Sequence, residues 1–119
     1  MMVVFVKHYL SLAGRTYFDE VWYPYVKNLI SKQQGYELIE TSHELNDQEC
    51  RNITVKFKNK RTLDAWVAEP NHQAVINDLD KFRTRSWHYW VVEGVEPTAP
   101  EDINEWIMVP MVGTDRDSV

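Results

Sequence analysis

Residues 51–72 read RNITVKFKNKRTLDAWVAEPNH. Two periods meet inside this stretch. Over Arg51–Lys58 the pattern alternates: Ile53, Val55 and Phe57 fall on one side, Thr54, Lys56 and Lys58 on the other. A period of two with β-branched residues reads as a strand with one buried face. After the polar turn at Asn59–Arg61 the spacing becomes helical. Thr62 is the expected N-cap of a helix carrying Leu63, Ala65, Trp66 and Val67. Glu69-Pro70 interrupts it, and Pro70 suits the first turn of a further helix bearing Val75, Ile76, Leu79 and Phe82.

The flanks complete the pattern. Ser86–Glu93 is a strand with Trp87, Tyr89 and Val91 on one face and His88, Trp90 and Val92 on the other. Upstream, Tyr36–Leu45 forms a strand that turns at Asn46-Asp47. Before it, Phe18, Val21, Trp22, Tyr25 and Leu29 make a helical stripe within Arg15–Lys32. Pro24 must kink or divide that helix, and Gly35 ends it. Val3–Leu10 is the first strand, apolar on both faces. The order is β-α-β-β-α-β. The expected fold is therefore α+β and ferredoxin-like, with an antiparallel four-stranded sheet and helices on one face. Helices cover only one side, so the apolar second face calls for another cover. A second copy of the chain is the simplest one.

The charge divides the chain. Its 119 residues carry a net charge of −5, but the segment up to Val92 holds twelve bases against eleven acids, near neutral at +1. From Glu93 onward seven acids face Arg116 alone, giving −6. Residues 1–93 are expected as one domain, and residues 94–119 as an acidic C-terminal extension. In the extension, Pro97 and Pro100 stiffen a connector to Asp102. Residues 103–112 carry Ile103, Trp106, Ile107 and Met108 and are expected to dock on the body or across a dimer, with 113–119 fraying. Nothing supplies the cationic surplus that phosphate binding needs, so nucleic acid and anionic membranes are excluded as partners. The single Cys50 allows no intrachain disulfide, which fits a reducing, cytoplasmic compartment. Cys50 itself reads as an incidental thiol in a polar loop. No run approaches the roughly 18 apolar residues of a membrane span. The histidines show no zinc spacing, and four glycines make no phosphate loop.

The segment from Phe57 to Trp66, followed by Glu69-Pro70-Asn71-His72, resembles the antibiotic biosynthesis monooxygenase family of the dimeric α/β-barrel superfamily. Gly14, Phe18 and Gly35 also fit. The resemblance covers residues 3–93 as a pattern of elements. It implies a homodimer in which two sheets form a barrel, with a pocket between sheet and helices in each protomer. It further implies oxidation of aromatic, quinol-like molecules by molecular oxygen with no metal or flavin cofactor. A heme-degrading subgroup carries an Asn on the first strand, a Trp closing the third and a His on the next helix. Here those places hold His8, Phe57 and Ile76, so heme binding ranks last, although His72 lies one helical turn from Ile76.

Two histidines are the candidates for proton handling. His8 lies mid-strand: it is either a polar group facing the pocket or a core histidine bonded to its neighbours. His72 follows Pro70: it is either an acid or base for a phenol oxygen or a partly exposed residue near a helix start. Trp22, Tyr25, Phe57 and Trp66 are either pocket wall or helix-on-sheet packing. A monooxygenase and a non-enzymatic ligand-binding or stress-response module remain the two functional readings. Convergence of a polar group on the aromatics separates them.

Overall fold

The computed structural model describes residues 1–94 and the backbone of residues 106–109. The expected connector and the remainder of the C-terminal extension lie outside the described residues. The strands are β1 (Met2–Leu10), β2 (Tyr36–Glu44), β3 (Asp47–Phe57), β4 (Arg83–Gly94) and β5 (Trp106–Val109). All neighbours run antiparallel in the order β2-β3-β1-β4-β5. The first four strands are those of the ferredoxin-like arrangement. The backbone of β5 adds a fifth by pairing Trp106–Val109 with Gly94–Val91.

The helices are α1 (Leu12–Tyr17), α2 (Tyr23–Ile30), α3 (Lys60–Ala68) and α4 (Pro70–Asp78). They lie on one face of the sheet. Val4, Val6 and Leu10 of β1, Ile53, Val55 and Phe57 of β3, and Tyr89 and Val91 of β4 meet Phe18, Trp22, Val26, Leu63, Trp66 and Leu79 in one core. Phe18, Phe57, Leu10 and Leu79 are fully buried. Each such side chain stabilises the fold by about 1.5–3 kcal/mol relative to exposure.

Pro24 divides the first helix as its missing N–H and bulky ring demand. The division takes the form of a π turn over Phe18–Trp22, where the Tyr23 N–H reaches back five residues to the Phe18 carbonyl. The wide turn aims Phe18 and Trp22 inward together, with ring centroids 4.9 Å apart.

Several local expectations change. Asn59, not Thr62, is the N-cap of α3: its Oδ1 accepts the Thr62 N–H at 2.9 Å. Thr62 is instead buried beneath Gly35, whose φ is +81°. A Cβ there would stand 2.3 Å from the Thr62 Oγ1, so glycine is required twice over. Strand β3 starts four residues early, at Asp47. Cys50 therefore lies inside a strand opposite Tyr9 and is fully buried, not in a loop. Burial pushes its thiol pKa up. Strand β4 likewise begins at Arg83, three residues before Ser86.

Candidate functional site

The face of the sheet under α3 and α4 opens into a cleft of about 260 Å³. Its floor is the alternation of two central strands: Val4 and Val6 from β1, and Trp87, Tyr89 and Val91 from β4. Its walls come from the helices. Leu63, Asp64 and Val67 lie along α3, and His72, Gln73 and Ile76 along α4, one turn apart on each helix. The Glu69-Pro70 break sets these two helices side by side: the Glu69 N–H ends α3 on the Trp66 carbonyl, and the His72 N–H opens α4 on the Glu69 carbonyl at 3.0 Å. The floor is apolar and aromatic, and the polar groups come from the helices and Tyr89. This is the composition of a small-molecule site.

His72 is half-buried. Its ring stands edge-on to Trp66, centroids 5.3 Å apart. Trp66 is buried behind it and outside the lining, so it orients the imidazole and does not itself face the cleft. Asp64 is held through Oδ2 by Lys60 Nζ at 2.6 Å. Gln73 donates through Nε2 to Asn77 Oδ1 at 2.8 Å.

His8 takes a different place. It is fully buried on the helix-facing side of β1 and does not line the cleft. Its ring sits among Trp22 (5.7 Å), Phe18 (6.3 Å) and Trp87 (5.5 Å), the last being the cleft floor. Arg83 Nη1 lies 2.9 Å from its Nδ1. A guanidinium only donates, so Nδ1 accepts and the proton of neutral His8 is on Nε2. Nε2 has no hydrogen-bond partner among the described residues. Burial, then the Arg83 charge, lowers the His8 pKa from 6.5 to about 3. His8 therefore holds no lone pair toward a substrate, and the expectation of a proton acceptor there does not fit this geometry. Arg83 ties the region together. Its Nη2 donates to the Ile76 carbonyl at 3.0 Å and its Nε to Asp80 at 2.8 Å, which anchors the end of α4 to β1.

The expected aromatic wall also separates. Trp22 is core, its indole Nε1 donating to the Val75 carbonyl at 2.7 Å. Phe57 is fully buried beneath the helices. Tyr25 points outward at 52% exposure, because the π turn rotates α2 relative to the stripe read from a regular helix. Of the six candidates, only His72 lines the cleft. The aromatic lining comes from Trp87 and Tyr89, which the alternation of the last strand had already put on one face. Asp64 and Gln73 carried no sequence signal beyond polarity on a helix. Among the described residues no group of three His, Cys, Asp or Glu is placed to hold a metal ion.

No protein-family model matches the sequence, and no curated protein matches it. Solved structures do match in three dimensions. A candidate antibiotic biosynthesis monooxygenase from Deinococcus radiodurans superposes with a TM-score of 0.73 at 15% identity, over 83% of this chain and 97% of that one. One from Nitrosomonas europaea gives 0.70 at 10% identity, over 81% and 100%. SnoaB, a cofactor-independent oxygenase from Streptomyces nogalater, gives 0.64 at 13% identity, over 83% and 97%. The chain thus has the fold of the antibiotic biosynthesis monooxygenases, at identities that establish the fold alone.

Proposed function

We propose that this protein is a cofactor-independent monooxygenase that oxidises an aromatic, quinol-like small molecule in the cleft between its sheet and helices α3 and α4. The observation that carries the reading is the cleft itself: an aromatic floor with the imidazole of His72 at its wall, on the fold of a known cofactor-independent oxygenase. His72 takes the acidic proton of the substrate, and the resulting electron-rich anion supplies the electrons to dioxygen. Oxidation of a ring CH₂ to C=O places one oxygen atom in the product and releases the other as water. The protein contributes orientation, exclusion of water and a proton acceptor. General-base assistance of this kind is worth about 10²–10⁴-fold. His72→Ala is expected to reduce oxygen uptake with anthrones and quinols at least 100-fold. Uptake equal to that of the unsubstituted protein overturns the assignment.

The active form in this reading is a cytoplasmic homodimer joined through the outer face of the sheet. Phe5 and Trp90 stack there at 6.0 Å, half-buried beside Lys7 and Asn52. The second reading, a non-enzymatic ligand-binding module, draws support from one point. His8, the more deeply buried histidine, serves the packing, so the cleft draws on a single imidazole. Heme stays below both, because Ile76 presents an aliphatic side chain to the cleft. A strong Soret shift on heme titration would reverse that order.

A further inference from the structure

Strand β4 outruns its outer neighbour. It spans Arg83–Gly94, but β5 pairs only with Val91–Gly94. Before Val91, no strand borders that edge among the described residues. The direction of the backbone groups on β4 follows from its end. The Gly94 N–H donates to the Met1 carbonyl at 2.8 Å, and the Met1 amino group donates to the Gly94 carbonyl at 3.2 Å. Pairs that exchange both bonds alternate with pairs that exchange none in an antiparallel ladder. The register with β1 is unbroken from Met2↔Glu93 to Lys7↔His88. Val92, Trp90 and His88 therefore turn their backbone groups toward β1, and Glu93, Val91 and Tyr89 turn theirs toward the opposite edge. Glu93 and Val91 meet Ile107 and Val109 of β5 there. Tyr89 is next in line, and its N–H and carbonyl face an edge with no described strand. Such an edge is a template for further pairing.

The sequence after β5 fits this template. It continues Pro110-Met111-Val112-Gly113. One further step in the register of β5 puts Pro110 opposite Trp90, where an N–H would point away from β4. Proline lacks that N–H and is admitted at such positions. The next step puts Met111 opposite Tyr89, where both backbone groups are required and both are present. Gly113 is a poor strand residue and closes the run.

We propose that residues 110–112 continue β5 along the free edge of β4 in the same chain, with Met111 and Tyr89 exchanging both backbone hydrogen bonds. Continuity of register selects this occupant, because β5 already brings Val109 opposite Val91, two residues from the open position. Directly opposed residues share a face of the sheet. Tyr89 lies on the cleft floor, so Met111 extends that floor at its open side. The pairing rests on backbone geometry and stands apart from the oxygenase reading.

Amide hydrogen exchange followed by NMR on the full chain tests it, with the Val91 amide as internal reference. The Tyr89 amide is expected to be protected. Met111→Pro removes the required N–H and is expected to speed exchange at Tyr89 by about tenfold or more, with Val91 unchanged. Val112→Pro removes an N–H that faces away from β4, and Tyr89 is expected to stay protected. An unprotected Tyr89 amide in the unsubstituted chain, or equal effects of the two prolines, overturns the proposal. Labelled Met111→Pro chain, refolded from urea with an excess of unlabelled unsubstituted chain, is expected to keep its fast Tyr89 exchange. Recovered protection would assign the added strand to a second copy and overturn the same-chain pairing.

Discussion

His8 and Arg83 show what one buried pair does to both chemistry and stability. The pair closes a fully buried ring onto a guanidinium, so the imidazole can only be neutral in the fold. Its pKa is about 3 in the native state against an ordinary 6.5. A depressed histidine pKa means that the unfolded chain takes up the proton first. The stability contributed by neutral His8 is therefore complete above about pH 6.5 and is lost progressively as pH falls toward 3. At 1.36 kcal/mol per pKa unit the loss amounts to several kcal/mol, with about 5 as an upper bound. Urea midpoints measured between pH 7 and pH 4 are expected to fall. In His8→Gln, which has no proton to gain, the slope is expected to flatten. Parallel pH profiles for both proteins refute the assignment. His8 was legible in the sequence as a polar residue in an apolar strand. Its tautomer was not, because Arg83 lies 75 positions away and joins it only through the fold.

The elements meet through close approaches that the chain arranges with small residues. Gly14, early in α1, lies against Phe82, in the short turn just before β4. A Cβ there would stand 2.4 Å from the Phe82 Cβ and 3.2 Å from that of Leu10. The Ser11 N–H also bonds the Phe82 carbonyl at 2.8 Å, so the two backbones cannot separate without losing it. Gly14→Ala is expected to destabilise the fold by about 1–3 kcal/mol, as overpacking in a rigid core does. Thermal melting read by circular dichroism checks it, and an unchanged midpoint would mean that Phe82 yields. At this scale the periodicity of residues 51–72 located strand and helix correctly, because hydrophobic alternation reports the face an element buries. It misplaced their ends. The cap at Asn59 and the early start of β3 are decided by which side chain reaches a free N–H and by pairing with β2 and β1, neither of which alternation encodes. The π turn is the same case. Pro24 announced an interruption, but the rotation that exposed Tyr25 depends on how Phe18 and Trp22 pack around His8.

On the scale of the molecule, one face of the sheet carries the helices and the other carries Phe5, Trp90, Tyr9 and His88 beside the ion pairs of Lys7 with Glu44 and Arg85 with Asp47. An aromatic pair set among ion pairs suits a self-complementary interface. Light scattering at micromolar concentration is expected to return twice the 14.1 kDa chain mass, and Trp90→Glu to return the single mass with its helical signal intact. A monomeric unsubstituted protein removes the homodimer from the proposal. The −5 of the whole chain arises in its last 27 residues and bears little on the cleft, whose lining is drawn from residues 4–91. What the sequence determined by itself was the order of elements, the two-sided apolarity of β1 and β4, and His72 as a candidate. Each of these follows from local period and side-chain type. What only the tertiary structure decided was which aromatics and which histidine line the cleft, and that Asp64 and Gln73 share that lining. Those depend on the relative rotation of packed elements, which is set by contacts between residues far apart in the chain.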